Sequence, residues 1–477
     1  MMENNTQLKE MIRSMVIDVL QGQKQEMASS QPIKQASRDQ VEPGVFDTVD
    51  EAIQAAKAAQ ARFEDCTLAT REKVIADIRA AMRPRVQELA QKTVEETGMG
   101  RVADKVLKLN LTLDKTLGVE DLVTECETGD NGMTLYELSA YGVIGAITPS
   151  TNPAETLICN TIGMLAAGNA VFFSVHPGAK HLSRLLVSEL NQIIAKSIGI
   201  ENLIVTLREP SIESAQEMML HPDVSLLVVT GGPGVVKQAL QSGKKVIGAG
   251  AGNPPAFVDE TADIKKAAQD IVLGASLDNN ILCIAEKSVV AMRQIEPQLV
   301  QEMVKVGCVL VENQQDIQRL VDLTVLPNGT PNKKFVGKNA SVILDAAHIP
   351  YNGDPRLIIM RAPKNHPFAV IEMLMPILPV VTVDSFDEGL DVCLMLEAGL
   401  HHTATMHSLN MERLNRMARK MKTSIFVKNG PSYAGLGFSG EGTTTFTIAT
   451  PTGESTTSAR CFARRRRCCL TTGFNIR

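Results

Sequence analysis

Nine cysteines punctuate the chain, and one of them, Cys283, ends the stretch DNNILC (278–283), where polar residues meet an apolar run. Asp278, Asn279 and Asn280 are turn or cap formers, and Ile281 and Leu282 lead into a core. Cys283 is therefore expected where a loop meets packed structure. A thiol in such a place is either an inert side chain or a nucleophile beside a pocket, and residue type alone does not decide which. Two further segments have the composition of ligand-binding turns. In LLVVTGGPGVV, Thr230, Gly231, Gly232 and Gly234 follow an apolar strand and precede the helical VKQALQSG. Glycines there let the backbone approach a phosphate at a helix N-terminus. The run departs from GxGxxG, so a tight turn without a ligand is an equal reading. TPSTNP (148–153) is a second strand end, carrying small, hydroxylated and amide side chains. His401, His402 and His407 share no helical face and lack a cysteine or carboxylate to complete a shell, which argues against a metal centre.

Those segments need a frame. From residue 45 the chain is helix-rich: TVDEAIQAAKAAQARFEDC and TREKVIADIRAAMRPRVQELAQKTVEET are both amphipathic. After 140, the strand-like runs YGVIGAITP, NAVFFSVHP, NLIVTLRE, VSLLVVTGG, KKVIGAGAG and PAFVDE alternate with helical stretches. That alternation predicts a parallel, doubly wound sheet. A second series, KSVVAM, CVLVEN, LPVVTVDS and TSIFVKNG, predicts another α/β domain behind it. Ligands of open α/β sheets bind beyond the carboxyl ends of strands, so the 148–153 and 230–234 turns belong on one rim. Residues 1–20 stand apart. Leu8, Met11, Ile12, Met15, Val16, Val19 and Leu20 recur at helical spacing, and the polar segment 21–44 after them reads as a linker. A short amphipathic helix on a tether docks either on a partner or on its own domain.

Composition narrows the function classes. At 477 residues the chain is long enough for two or three domains, and 44% hydrophobic with 21% charged residues is the profile of a folded protein. A net charge of −5 gives no basic field for nucleic acid. The basic run Arg464–Arg467 reads as a solvated C-terminal strand edge. The cysteines are scattered, odd in number and without zinc-type spacing, which fits reduced, cytosolic thiols. Lys9, Glu10, Arg13 and Asp18 interrupt the first apolar positions, so no secretory leader is expected. The uncharged run 156–175 contains Asn160, Gly163, Gly168 and Asn169, and it reads as a helix ending at Gly168-Asn169 followed by a buried strand. A soluble protein with no membrane span is expected.

Long stretches carry a more specific likeness: ETGMGR, TPSTNPAET, AAGNAVFFSVHPGAK, KKVIGAGAGNPP, NNILCIAEKS, EGLDVCLMLEAGLHHTATMHS, TSIFVKNGPSYAGLG and TTTFTIATPTGE. From about residue 45 to the C-terminus the chain resembles the aldehyde dehydrogenase superfamily. The likeness is strongest to its CoA-acylating branch, the propionaldehyde dehydrogenases of propanediol-utilisation microcompartments. Ser455 stands where that branch usually has glycine. The resemblance implies an α/β fold with a Rossmann-like cofactor domain (45–123 and 143–252), an α/β catalytic domain (253–440) and a β oligomerisation ribbon (124–142 and 441–477). It matches residues 1–20 to an encapsulation helix that binds a shell protein in the microcompartment lumen, and it implies a homo-oligomer, a dimer or tetramer.

The same resemblance assigns roles. Cys283 matches the nucleophile, and Asn152 the oxyanion-hole amide, for which a loop-stabilising turn is the alternative. Thr148, Pro149, Ser150, His176, Pro177, Gly231 and Glu372 match positions that hold NAD, with Glu372 on the nicotinamide ribose. Hydrolytic members carry LELGGK, whose glutamate activates water; here the run is IGAGAG, with Ala249 at that position. The expected reaction oxidises a short aliphatic aldehyde, propanal, with NAD and coenzyme A. An acetaldehyde-specific relative, a hydrolytic dehydrogenase and an inactive scaffold are the competing readings.

Overall fold

The computed structural model describes residues 42–475. The expected encapsulation helix (1–20) and nearly all of the linker (21–44) lie outside them. After the short strand Val45–Phe46, two helices start where the residue ahead of each caps it. The Thr48 hydroxyl accepts from Glu51 N ahead of Val49–Glu64, and the Thr67 hydroxyl accepts from Thr70 N ahead of Leu68–Met82. The amphipathic stretch from Thr70 to Thr97 is not one helix. It breaks into Leu68–Met82, a tight turn at Arg83–Arg85 and Val86–Thr97. Pro84 has no N–H and its ring crowds the preceding turn, so it starts a new helix rather than continuing the old one.

Six parallel strands form the first sheet in the order Val45–Phe46, Ile204–Leu207, Ala170–Val175, Val143–Thr148, Val224–Thr230, Lys245–Ala249. Ala170–Val175 is buried along its whole length, as a strand covered on both faces must be. It follows helix Pro153–Ala166 through Gly168, whose φ of +85° lets the chain reverse. Among the described residues no helix is long and apolar enough to cross a membrane. The chain winds outward from Val143–Thr148 to one edge, then returns to Val224–Thr230 on the other side. The switch point lies between those two strands, and their carboxyl ends are Thr148 and Thr230.

Seven parallel strands form the second sheet in the order Cys308–Leu310, Leu357–Arg361, Ile377–Val383, Ser288–Met292, Pro255–Val258, Thr403–His407, Ile425–Lys428. Two of them, Leu357–Arg361 and Thr403–His407, were not among the strand-like runs. TATMH is weak as an isolated strand. Its place is set by pairing on both sides, with Pro255–Val258 and with Ile425–Lys428.

A separate antiparallel ribbon joins Glu125–Gly129, Gly132–Ala140 and Ala463–Thr471. Arg464–Arg467 lie on its edge strand, opposite Ser139 to Tyr136, and are exposed. The Arg465 guanidinium stacks 3.8 Å from the Tyr136 ring centre and its nitrogen lies 2.7 Å from a Glu125 oxygen. Ser455 adopts φ +62°, a left-handed conformation that costs a serine about 1 kcal/mol and glycine nothing.

Candidate active site

Three consecutive non-glycine residues, Asp278, Asn279 and Asn280, have φ of 51°, 55° and 66°. Asparagine and aspartate tolerate this conformation best, yet a run of three persists only where the surroundings enforce it. Each is pinned. The Asp278 carboxylate accepts from Arg101 N at 2.9 Å, and Asp278 N donates to Asp104 Oδ2 at 2.9 Å. Gly100 leaves the space this carboxylate fills, since a Cβ there would fall 2.0 Å from Asp278 Oδ1. Asn279 donates to Gly337 O and Asn339 Oδ1, and accepts from Arg101 Nε. Asn280 donates to Ala275 O and Glu286 O. Ile281 and Leu282 are then buried, and Cys283 emerges with part of its surface still meeting water.

Beneath the turn lies a buried charge cluster. Asp278 Oδ2 meets Lys105 Nζ at 2.9 Å and also Lys108 Nζ, which bonds Glu155 at 2.9 Å as well. Burial alone would raise the Asp278 carboxyl, but the two ammoniums outweigh it and hold it below its usual range. Burial lowers Lys105, whereas Lys108, facing two carboxylates, is raised despite burial. Lys108 also donates to Asn152 Oδ1. That bond fixes the Asn152 amide with its carbonyl toward the lysine, leaving its NH₂ to donate elsewhere. Asn152 is 8% exposed and sits at the start of helix Pro153–Ala166, and its side chain does not cap that helix. One ion cluster thus ties Asn152, at the carboxyl rim of the first sheet, to the turn of Cys283, at the amino end of a second-sheet strand.

Gly252 gathers three more groups. Its N–H donates to Glu372 Oε1 at 3.1 Å. A Cβ on it would lie 2.6 Å from the Cys283 carbonyl oxygen and 2.8 Å from the His402 ring. Packing depth dominates the ionisation here even though Cys283 and Glu372 keep some exposed surface. It raises Glu372, and together with the Glu372 charge it pushes the Cys283 thiol up to about 12, against Lys287. Burial, aided by Lys287, pulls His402 down to about 4, so its imidazole is neutral near pH 7. Burial moves Glu286 up to about 7, with both its oxygens taken by Ser432 N and Oγ.

The other sequence-matched positions line the first sheet's rim. Thr148 ends its strand, and its buried hydroxyl has no protein partner. Pro149 and Ser150 follow at the same strand end. Gly231 lies between strand Val224–Thr230 and helix Pro233–Leu240, on the far side of the switch point. His176 and Pro177 follow the neighbouring strand Ala170–Val175, and the His176 ring accepts from Gly178 N at 3.0 Å. A Cβ on Gly232 or Gly234 would point into open space, and no side chain caps the helix there. The backbone is therefore open to a phosphate, and the rim fits a dinucleotide. Set against LELGGK, Gly248 rather than the expected Ala249 stands at the glutamate's place; both lie in strand Lys245–Ala249, and neither carries a carboxylate. Among the described residues no three histidines, cysteines or acids gather as a metal site.

Sequence reasoning passed over Asp278, Lys105, Lys108 and Lys287 as site residues. For Lys287 a signal existed, since with Glu286 it interrupts an apolar run; Asp104, Lys105 and Lys108 share the buried face of helix Val102–Lys115, which the sequence alone does not show.

A model described as the aldehyde dehydrogenase family matches residues 19–450. The chain belongs to the aldehyde dehydrogenase family. Propanal dehydrogenase (CoA-propanoylating) of Salmonella typhimurium is 54% identical over 435 residues, covering 91% of this chain and 93% of the relative. Propionaldehyde dehydrogenase of Rhodopseudomonas palustris, solved with bound CoA and an acylated cysteine, superposes with a TM-score of 0.90 at 49% identity. That match covers 92% of this chain and 100% of the other. The propionaldehyde dehydrogenase of a Clostridium phytofermentans fucose-utilisation microcompartment, solved with one histidine replaced by alanine, gives 0.90 at 47% identity, covering 91% and 100%. The same enzyme was also solved with one cysteine replaced by alanine. The expected α/β fold of this family, with a doubly wound cofactor-type sheet and a second α/β sheet, is the one observed.

Proposed function

We propose that this chain oxidises propanal to propanoyl-CoA with NAD⁺ as oxidant, through a thioester on Cys283. The observation that carries the reading is Cys283 itself, raised at a pinned turn in a fold whose Rhodopseudomonas relative was solved with its cysteine acylated and CoA bound. The Cys283 thiolate adds to the aldehyde carbonyl, forming a C–S bond and an alkoxide. The Asn152 NH₂, whose amide Lys108 orients, and the Cys283 backbone N–H would stabilise that alkoxide. Thr148, Pro149, Ser150, His176, Pro177 and Gly231 would hold NAD⁺, with Glu372 at its ribose, and the bound nicotinamide would supply the hydride acceptor. The alkoxide collapses to the Cys283 thioester, and the CoA thiolate then displaces the Cys283 thiolate. His401 is the candidate acceptor of the CoA thiol proton. The cysteine and histidine replaced in the Clostridium enzyme are separated in sequence as Cys283 and His401 are here.

With Gly248 where a base would stand, water attack on the thioester forgoes the ~10²–10⁴-fold that general-base catalysis supplies. The acyl group should therefore wait for CoA. Mixing enzyme, propanal and NAD⁺ without CoA should release a burst of about one NADH per active site, then a slow leak. Adding CoA should restore turnover. Steady acid release at the CoA-dependent rate would show a hydrolytic enzyme, and a tenfold preference for acetaldehyde would move the substrate to the two-carbon aldehyde.

The same proposal includes location and assembly. Residues 1–20 would dock by the stripe Leu8 to Leu20 on a shell protein of a microcompartment, and the ribbon would join copies of the chain into a homodimer or tetramer. A fluorescent reporter carrying residues 1–20 should concentrate in shells. One that stays diffuse in shell-forming cells would remove the docking role.

A further inference from the structure

We propose that Lys287 is the positioning residue for Cys283, its buried ammonium clamping the turn that carries the thiol and presenting positive charge to the thiolate. Lys287 is 3% exposed, and its backbone N–H is fixed to Pro254 O at 2.8 Å. Its Nζ donates to Asn280 O at 2.7 Å, Asn280 Oδ1 at 2.6 Å and Leu282 O at 2.9 Å. An ammonium has three donors, and all three end on the two residues that set the direction of Cys283. The clamp acts where the backbone is most strained, at the last of three left-handed residues.

The three acceptors are uncharged. Burying an ammonium among neutral carbonyls is costly, and a neutral donor of similar size would hold them at lower cost to the fold. The charge is explained by what faces it. Cys283, Glu286, Glu372 and His402 are the titratable groups around it. Glu286 is taken by Ser432, and His402 is neutral near pH 7. Burial and Glu372 both oppose ionisation of Cys283, while Lys287 favours it. Burial pulls Lys287 itself down to about 8, so it remains mostly charged near neutral pH and loses its charge as the solution turns alkaline.

This inference rests on Cys283 as the nucleophile, and alkylation tests it without aldehyde, NAD⁺ or CoA. The full chain would be treated with iodoacetamide over a range of pH. Alkylation would be followed on the Cys283 peptide by mass spectrometry, with exposed Cys468 as the internal standard. Lys287→Gln keeps an N–H donor and removes the charge; Lys287→Met removes both. Losing one unit of thiol ionisation is tenfold in thiolate, so both variants should alkylate Cys283 about tenfold more slowly near neutral pH. Methionine should be slower than glutamine, Cys468 should be unaffected, and NAD⁺ binding by calorimetry should be retained. In turnover, kcat should fall while the KM for NAD⁺ stays put. A Lys287→Gln profile superimposable on the parent's would overturn the proposal, as would a parallel change at Cys468. Failure of both variants to fold would assign Lys287 a purely structural role and also overturn it. Loss of activity in Cys283→Ala is a separate result that bears on the nucleophile alone.

Discussion

Cys283→Ala should lose CoA-dependent propanal oxidation by at least about 10⁴-fold, because no other group can form the covalent adduct. The substitution removes one sulfur from a side chain that already meets solvent, so folding and NAD⁺ binding should be retained. Six of the eight remaining thiols are buried or lie on the ribbon. Cys308 and Cys393 are buried in the apolar core of the second sheet, and burial pushes both up. Cys159 is buried too, raised by that burial and hydrogen-bonded by the Thr116 hydroxyl. Cys126, Cys468 and Cys469 are on the ribbon. NADH formation with propanal and CoA would be measured for Cys283→Ala beside Cys159→Ala and Cys393→Ala. An active Cys283→Ala enzyme, or an inactive Cys159→Ala or Cys393→Ala enzyme that still folds, would overturn the assignment.

What was legible in the sequence follows from the range of the forces involved. The strands of the first sheet are continuous apolar runs because both faces are covered, and such runs are local signals. Cys283 stood out where a polar turn meets an apolar run and Asn152 in a strand-end turn, but their roles came from the family resemblance. Lys105 and Lys108 did not. On VADKVLKLNLTLDK they look like the solvated face of an amphipathic helix, yet both are buried. Their counter-ion Asp278 comes from a turn far along the chain, and no local periodicity reports it. Thr403–His407 escaped for the same reason, since its strand state comes from two neighbours rather than from its own residues. Pro84 was the opposite case: a local breaker was present, and the amphipathic period across it masked the break.

Asp278→Asn should destabilise the chain by about 3–5 kcal/mol, the cost of removing one partner from a buried ion cluster. The carboxylate binds two ammoniums and the Arg101 N–H, so its loss leaves Lys105 with no carboxylate at ion-pair distance and Lys108 with Glu155 alone. Asparagine keeps an oxygen for the Arg101 N–H, but with the ion pairs gone Cys283 and the Asn152 amide lose their shared support, so kcat should fall with stability. Adding Lys105→Met should recover part of the loss, because a neutral pair in place of a neutralised half-pair removes the stranded charge. A double-mutant cycle on urea midpoints measures this, and strictly additive effects would show that the two side chains are not coupled. The pH dependence follows from the direction of the shift. The Asp278 carboxyl is held below its unfolded value, so its contribution is complete above the unfolded carboxylate pKa of about 4 and is lost as pH falls through the folded value. The stability gap between the parent and Asp278→Asn should therefore be widest near neutral pH and narrow on acidification. A gap that stays constant from neutral to strongly acidic pH would mean the carboxylate's charge contributes nothing, and that Asp278 serves only as a hydrogen-bonding turn residue.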